Sequence, residues 1–425
     1  MLKRRFVPCI FDEVENVEDY QPGGFHPMRI GDKFDNGRYR ILHKLGNGGS
    51  STIWLARDEH SSEPGLGKLV TIKALRADAS KINSPELVVP TLMPSSESFD
   101  FYRKVEDNFV AKGPNGTHMF IVYAFAGPSV RAISEFPENR RLRADLARKI
   151  AAQASSALQR IHHAGFIHGG GYILPKTSLC TSNFLFRSTD DVHKWSDDEV
   201  YYQLESPETD AVQMLNGQSI GPQVPSEVTE AVDPFIFFEN DLLQERIVVV
   251  DFGQSYAASE PPKDYKPRTM MNYMSPETRF EGRVGPESDV WTLGCAIFEI
   301  RAGFPLFDPF FPSDAVILTR IVGTLGRLPD PWWNVFKNRH LFEEDGRPKT
   351  NGIAVTPSIR ELLQSVGTRD EILDSDGGSM FEQTETRIDG TEVDFLVDLL
   401  EKMLRYRPED RIGVDEVVNH PWFQV

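Results

Sequence analysis

The chain has 425 residues, 40% of them hydrophobic and 26% charged, with a formal net charge of −17 at pH 7. It can bury a large core, its length alone allows two or three domains, and its acidity disfavours direct nucleic-acid binding, which needs clustered Lys and Arg against phosphate. Apolar runs such as Ile247 to Val250 fall far short of the roughly 20 residues that span a bilayer, so no membrane insertion is expected. Three cysteines without CxxC spacing, Cys9, Cys180 and Cys295, argue against a disulfide framework or a zinc site and for a reducing compartment.

The start Met1-Leu2-Lys3-Arg4-Arg5 is basic, but the acidic stretch Asp12 to Asp19 follows where a signal peptide would carry an apolar segment. A cytoplasmic chain is expected, with the nucleus as a second compartment. Residues 1–36 lack strong periodicity, contain Gln21-Pro22-Gly23-Gly24, and read as an extended lead-in. Tyr39 to Leu45 reads as a strand. A glycine turn follows, then the strand Ser51 to Ala56 and a third strand, Leu69 to Ala74. Asn108 to Ala111 and Met119 to Phe125 flank Gly113-Pro114-Asn115-Gly116, whose Asn-Gly pair is a tight-turn signal joining two antiparallel strands. Residues 37–127 therefore form a small antiparallel lobe with one helix.

After Gly127-Pro128 the pattern becomes helical. From Arg141 to His162 apolar residues recur at spacings of three and four, among them Leu146, Ile150, Ala154, Leu158 and Ile161. Residues 188–245 carry Ser, Thr, Asp, Glu and Pro with little period and read as an insertion or mobile excursion. A second polar stretch, Phe342 to Asp389, interrupts the helical part before Phe395 to Met403 and His420-Pro421-Trp422-Phe423 return to packed helix. No repeat with a period of 20 to 50 residues is present. The expected class is α+β, two lobes, the second (128–425) mainly helical.

Several segments carry chemistry. Gly46-Asn47-Gly48-Gly49-Ser50-Ser51-Thr52-Ile53 offers unhindered backbone whose N–H groups can approach phosphate oxygens. A strand follows that turn, whereas a dinucleotide fold would open a helix there, and no GxxxxGK[ST] motif occurs. Lys73, 20 residues after Ile53, would hold the first two phosphates and needs a carboxylate to position it. Glu86 is the expected partner: Ser84-Pro85-Glu86 has the cap and first-turn residues of a helix, which Pro90 is expected to truncate. Asp251-Phe252-Gly253 follows the apolar run Ile247 to Val250 and precedes Ser275-Pro276-Glu277 by 24 residues. Asp251 would ligate magnesium, a hard cation that takes carboxylate oxygen. Asn183, in Ser182-Asn183-Phe184-Leu185-Phe186, would be the other protein ligand.

In this order and spacing the segments resemble the eukaryotic protein kinases over residues 37–425, and within them the SR-protein kinase family, which phosphorylates serines in Arg/Ser-rich segments of splicing factors. The specific signal is the lead-in Glu18-Asp19-Tyr20-Gln21-Pro22-Gly23-Gly24-Phe25-His26-Pro27 with Ile30-Gly31-Asp32. Gly113 to His118, Gly127-Pro128-Ser129 and the run Gly46 to Leu55, with Ser51 in place of the usual third glycine, agree with it. The resemblance implies ATP and magnesium as cofactors, basic Arg/Ser-rich protein substrates and a monomer. It places Tyr123 at the back of the adenine pocket and Ala124 to Ala126 in the hinge. It also implies that Asp289 receives backbone hydrogen bonds from the catalytic loop, and that Glu277 and Arg411 form a buried ion pair.

The catalytic loop departs from the family. Kinases read H-R-D-L-x-x-x-N with seven residues from His to Asn; here His168 and Asn183 are 15 apart, an excess of eight, with no Asp or Glu between them. Gly170 to Thr177 overwrites the loop, Ser178 stands where the base would be, Lys176 is the lone charged residue of the interval, and Gly169 replaces the arginine. A real insertion and an error in assembling the coding sequence both account for this run. The reading is a serine/threonine kinase with a disrupted loop; the alternative is a pseudokinase that binds ATP and acts as a scaffold. The segments Ser275-Pro276-Glu277 and His420 to Phe423 disfavour a small-molecule kinase.

Overall fold

The computed structural model describes residues 4–11, 13–60, 67–81, 84–93, 101–136, 140–169, 180–263, 265–267, 269–308, 313–349, 356–368, 370 and 378–425. Its first part is one antiparallel sheet of β1 (Lys33–Phe34), β2 (Tyr39–Gly48), β3 (Ser51–Asp58), β4 (Lys68–Leu75), β5 (Val105–Gly113) and β6 (Gly116–Ala124), in the order β1-β2-β3-β4-β6-β5. The strands run slightly past their expected ends. Along β5 residues alternate half-buried and exposed, as on an edge strand with one packed face. The Asn-Gly hairpin forms with Gly113 opposite Gly116. Helix α1 (Pro85–Leu92) has Ser84 at its N-cap and Pro85 in its first turn. It runs through Pro90 and ends two residues later, so that proline does not truncate it; a helix of eight residues loses only one internal hydrogen bond to it.

The second part packs on α7 (Pro286–Ala302), every residue of which from Ser288 to Ala302 is buried, as expected of a helix surrounded by core. Before it come α2 (Arg131–Ser134), α3 (Ala144–His163), β7 (Phe166–Ile167), β8 (Phe184–Ser188), α4 (Asp197–Gln203), β9 (Thr209–Ala211), β10 (Glu227–Thr229), α5 (Phe235–Glu239), β11 (Leu243–Val249), β12 (Tyr256–Ala257) and α6 (Pro276–Glu281). After it come α8 (Asp314–Leu325), α9 (Trp332–Val335), α10 (Ile359–Ser365), α11 (Gly390–Met403) and α12 (Val414–Val418). The stripe Leu146, Ile150, Ala154, Leu158 and Ile161 on α3 is fully buried against this core. The polar stretch after Phe342 contributes α10 and the buried Met380 and Phe381.

Residues 188–245, read from sequence as an insertion or mobile excursion, are folded, and they reach the first lobe. Asp197, in the first turn of α4, receives Arg40 Nη2 at 2.6 Å and Arg57 Nη2 at 2.9 Å, and Arg57 Nη2 also donates to the Trp195 carbonyl at 2.8 Å. The lead-in is packed between the two: Phe6, Tyr20 and Phe25 share a small core with Val224. Asn115 Nδ2 donates to the carbonyls of Phe25 and Gln223, each at 2.7 Å. At the centre Lys44, fully buried, pairs with Glu15 and donates to the Thr229 carbonyl at 2.8 Å, while Tyr20 donates its hydroxyl to Glu15. The three cysteines are free thiols, with Cys180 and Cys295 buried and Cys9 half-buried.

Candidate nucleotide and metal site

Strand β4 sits in the middle of the sheet, and its register sets Lys73 opposite Ile53 of the glycine hairpin on one side and Ile121 of β6 on the other. From there Lys73 Nζ donates to Glu86 Oε1 at 2.9 Å and to Asp251 Oδ1 at 3.2 Å. Burial alone would depress this ammonium; the carboxylates of Asp251 and Glu86 outweigh it and hold the pKa well above the ordinary lysine value. The lysine is therefore a fixed charge. Three elements distant in sequence, β4, α1 and the turn after β11, meet at it.

Asp251 leaves β11 in the left-handed region at φ +66°, a conformation that costs a non-glycine residue of order 1 kcal/mol and is found at functional turns. Phe252 behind it is buried between Tyr102 and His168, with ring centres at 5.9 and 5.4 Å. Val250 N donates to the Asn183 carbonyl at 3.0 Å, which sets Asn183 beside the turn that carries Asp251. The Asn183 side-chain nitrogen is buried with no partner among the described residues, and its oxygen receives only a long 3.5 Å contact from Ser182 Oγ. One carboxylate and one unspent amide suit a hard divalent ion that takes its remaining ligands from phosphate and water.

Above this, a Cβ placed at Gly46 or Gly48 would meet nothing within 4 Å, so the hairpin has open space around its backbone. Asn47 and Gly48 pair with Thr52 and Ser51 across it, Gly49 and Ser50 forming the turn. Two expected contacts are turned inward: Ser51 and Thr52 are buried, and Thr52 Oγ1 accepts from Trp54 Nε1 at 2.9 Å. Only their backbone is left for a phosphate. In the hinge Ala124 and Ala126 are half-buried while Phe125 is buried against Phe237 of α5. Gly127 N donates to the Phe186 carbonyl at 2.9 Å, tying the hinge to β8, and a Cβ at Gly127 would come within 2.4 Å of Leu243.

Tyr123 makes a contact that the sequence did not disclose. Its hydroxyl donates to Glu86 Oε1 at 2.7 Å, the same oxygen that Lys73 uses. Burial first, and Glu86 second, push its pKa well above the usual phenol value. Arg103, absent from the sequence reading altogether, lies over the Tyr123 ring with its guanidinium carbon 4.8 Å from the ring centre. No motif marks it.

Below the cleft, Asp289 accepts the backbone N–H of His168 at 2.9 Å and of Gly169 at 3.1 Å, as the resemblance implied. Gly169 has φ +71°, and a Cβ there would come within 2.5 Å of the Tyr265 hydroxyl, which donates to the Gly169 carbonyl at 2.8 Å. A tyrosine of the later segment thus fills the space an arginine side chain would need. Arg411 and Glu277 are paired at 2.9 and 3.0 Å with both side chains buried. Gly170 to Thr177 and Ser178 lie outside the described residues.

Residues 236–423 match the protein kinase domain. That match lies in the second, mainly helical part of the chain. Over nearly its whole length the chain is similar to Serine/threonine-protein kinase SRPK of Physarum polycephalum, 24% identical over 438 residues that cover 97% of this chain and 92% of that one. It is also similar to Protein kinase dsk1 of Schizosaccharomyces pombe, 23% identical over 393 residues covering 69% and 66%. A shorter match, 30% identical over 164 residues, is to Serine/threonine-protein kinase SKY1 of Saccharomyces cerevisiae and covers 36% of this chain and 21% of that one. These relatives are serine/threonine kinases by name, and the fold has the α+β class expected of a protein kinase.

Proposed function

We propose that this chain binds Mg-ATP between its lobes and acts as a kinase on serines in basic, Arg/Ser-rich proteins. The observation that carries the reading is the joining of Lys73, Glu86 and Asp251 at 2.9 and 3.2 Å. That contact aligns a cation for the α- and β-phosphates with a carboxylate for the metal. Lys73 would neutralise phosphate charge, Glu86 would hold it in place, Asp251 and Asn183 would hold magnesium, and the Gly46 to Ile53 backbone would cover the phosphates. Bound magnesium would neutralise charge building on the transferred phosphoryl group. A net charge of −17 favours basic partners, and that preference should weaken with salt as screening shortens electrostatic reach.

Thermal-shift titration tests the site: ligand that binds only the folded state raises its apparent stability by RT ln(1 + [L]/Kd), about 2.7 kcal/mol at a hundredfold excess over Kd. The wild type should be stabilised by ATP with magnesium and Lys73→Met should respond little or not at all. Equal responses would remove the assignment. A second reading, a nucleotide-binding scaffold, is favoured by one observation, the absence of any Asp or Glu between His168 and Asn183. Loss of a general base costs about 10²- to 10⁴-fold in rate. Phosphoryl transfer rests mainly on positioning and charge, so slow turnover is compatible with the site.

A further inference from the structure

We propose that Arg103 sets the base specificity of the cleft, so that a 6-oxopurine nucleotide is accepted at least as well as a 6-aminopurine one. The inference rests on the nucleotide-binding reading above and concerns only the end of the cleft remote from the phosphates.

Residues 101–103 run alongside the end of β11. Phe101 accepts from Val249 N at 2.8 Å, and Arg103 N donates to the Val249 carbonyl at 3.1 Å, two residues before Asp251. The segment therefore enters at the rear wall of the cleft, between the metal carboxylate and the hinge. From there the Arg103 side chain turns toward β6. Its guanidinium lies over the Tyr123 ring, and Nε and Nη2 both donate to the Ala124 carbonyl, at 3.2 and 2.8 Å. Among the described residues Glu86 and Glu106 are the carboxylates whose charge acts on it. Burial lowers its pKa to about 10, which still leaves it charged at neutral pH.

The chemistry follows from what this end offers a base. An exocyclic amine on a purine needs an acceptor, and the first carbonyl of the hinge is already engaged by two N–H groups. A half-buried cation stands beside that carbonyl, with Nη1 carrying no bond to a described residue. Donor would face donor for an aminopurine. An oxo group at the same ring position accepts from the guanidinium, and hydrogen bonds to a charged donor are the strong ones. Sites that hydrogen-bond a substrate group discriminate strongly against analogues that leave a buried polar group unpaired.

Calorimetric titration of the full chain with the magnesium complexes of the non-hydrolysable imido analogues of ATP and GTP decides the matter. The measured quantity is the ratio of Kd for the GTP analogue to Kd for the ATP analogue. We expect a wild-type ratio no higher than about one. Arg103→Leu should raise it at least tenfold by freeing the Ala124 carbonyl, and Arg103→Gln, which keeps an amide donor and guards against a folding defect in the leucine variant, should lie between. A wild-type ratio above three, or a ratio that Arg103→Leu changes by less than threefold, overturns the proposal while leaving the nucleotide site intact. Binding of neither analogue by wild type or by either Arg103 variant, with Lys73→Met behaving the same, would remove the nucleotide reading and this inference with it. Wild type that binds neither analogue while Arg103→Leu binds the ATP analogue would also overturn it, since the guanidinium would then block the base position rather than accept an oxo group.

Discussion

Two imidazoles face each other where the lead-in meets the sheet. His26 and His118 have ring centres 4.7 Å apart, and His26 is also edge-on to Phe34 and Phe120 at 5.7 and 5.5 Å. Burial, with His118 second, lowers the His26 pKa to about 4, and burial lowers that of His118 as well. In the unfolded chain each would titrate near its ordinary value. The folded state thus binds fewer protons between about pH 4 and 6.5, so stability is full above 6.5 and is lost as pH falls toward 4. Glu299 runs the other way. Burial raises its carboxyl to about 7, so its contribution is present below the ordinary glutamate value and lost as pH rises through 7. His26→Phe should therefore flatten the acid limb of a urea-unfolding series from pH 7 to 4, removing about 2 kcal/mol of loss once the shift is discounted for partial exposure. Glu299→Gln should instead steepen the fall between pH 7 and about 4.5, because the wild-type carboxyl gains stability across that window as pH falls and partly offsets the histidines. An acid limb unaltered in His26→Phe would show that the pair does not titrate with folding.

At the scale of elements, the legible parts were those with long repeats of one pattern. Strands β2 to β6 announced themselves through branched and aromatic runs and the Asn-Gly turn, and α3 through its three-four stripe. The segment between β8 and β11 did not, for a physical reason. Its strands β9 and β10 are three residues long, too short for a period, and its partners are remote: Phe6 bridges Met214 and Arg57 reaches Asp197. Such contacts leave no local trace. The lead-in and this segment converge on Lys44, whose ammonium and the Glu15 carboxylate are 0% and 3% exposed. Removing one partner of a buried pair leaves an uncompensated charge, at a cost of about 3 to 5 kcal/mol, whereas replacing both by apolar residues is often neutral. Lys44→Met should accordingly lower the Tm by several degrees and open the first residues to protease, and Glu15→Leu with Lys44→Met should recover most of the loss. A double variant as unstable as the single one would mean that the pair is held by more than its charge balance.

For the whole molecule, the sequence named the residues expected at the phosphate and metal end and the hinge residues Tyr123 to Ala126, but not Arg103 behind them. Lys73, Glu86, Asn183 and Asp251 each sit in a short local pattern that is weak alone and gains weight from its order and spacing along the chain. Arg103 acquires its place only when residues 101–103 are laid against β11 and the side chain reaches Ala124, which depends on tertiary packing. The catalytic loop is the reverse case, informative in sequence alone. Asp289 holds the backbone of His168 and Gly169, and Asn183 is held beside the turn that carries Asp251, so both ends of the interval are fixed. What differs is the span between them, 15 residues where seven are expected. Deleting the eight residues Gly170 to Thr177 restores the spacing and brings Ser178 to the position of the base. That deletion with Ser178→Asp should raise phosphorylation of a serine-rich basic peptide by at least about tenfold, within the range a positioned general base supplies. Deletion alone should do less, because it returns geometry without a proton acceptor. A repaired chain that folds and is stabilised by Mg-ATP, yet transfers phosphate no faster than the unaltered one, would show that something other than the loop limits turnover and would favour the scaffold reading.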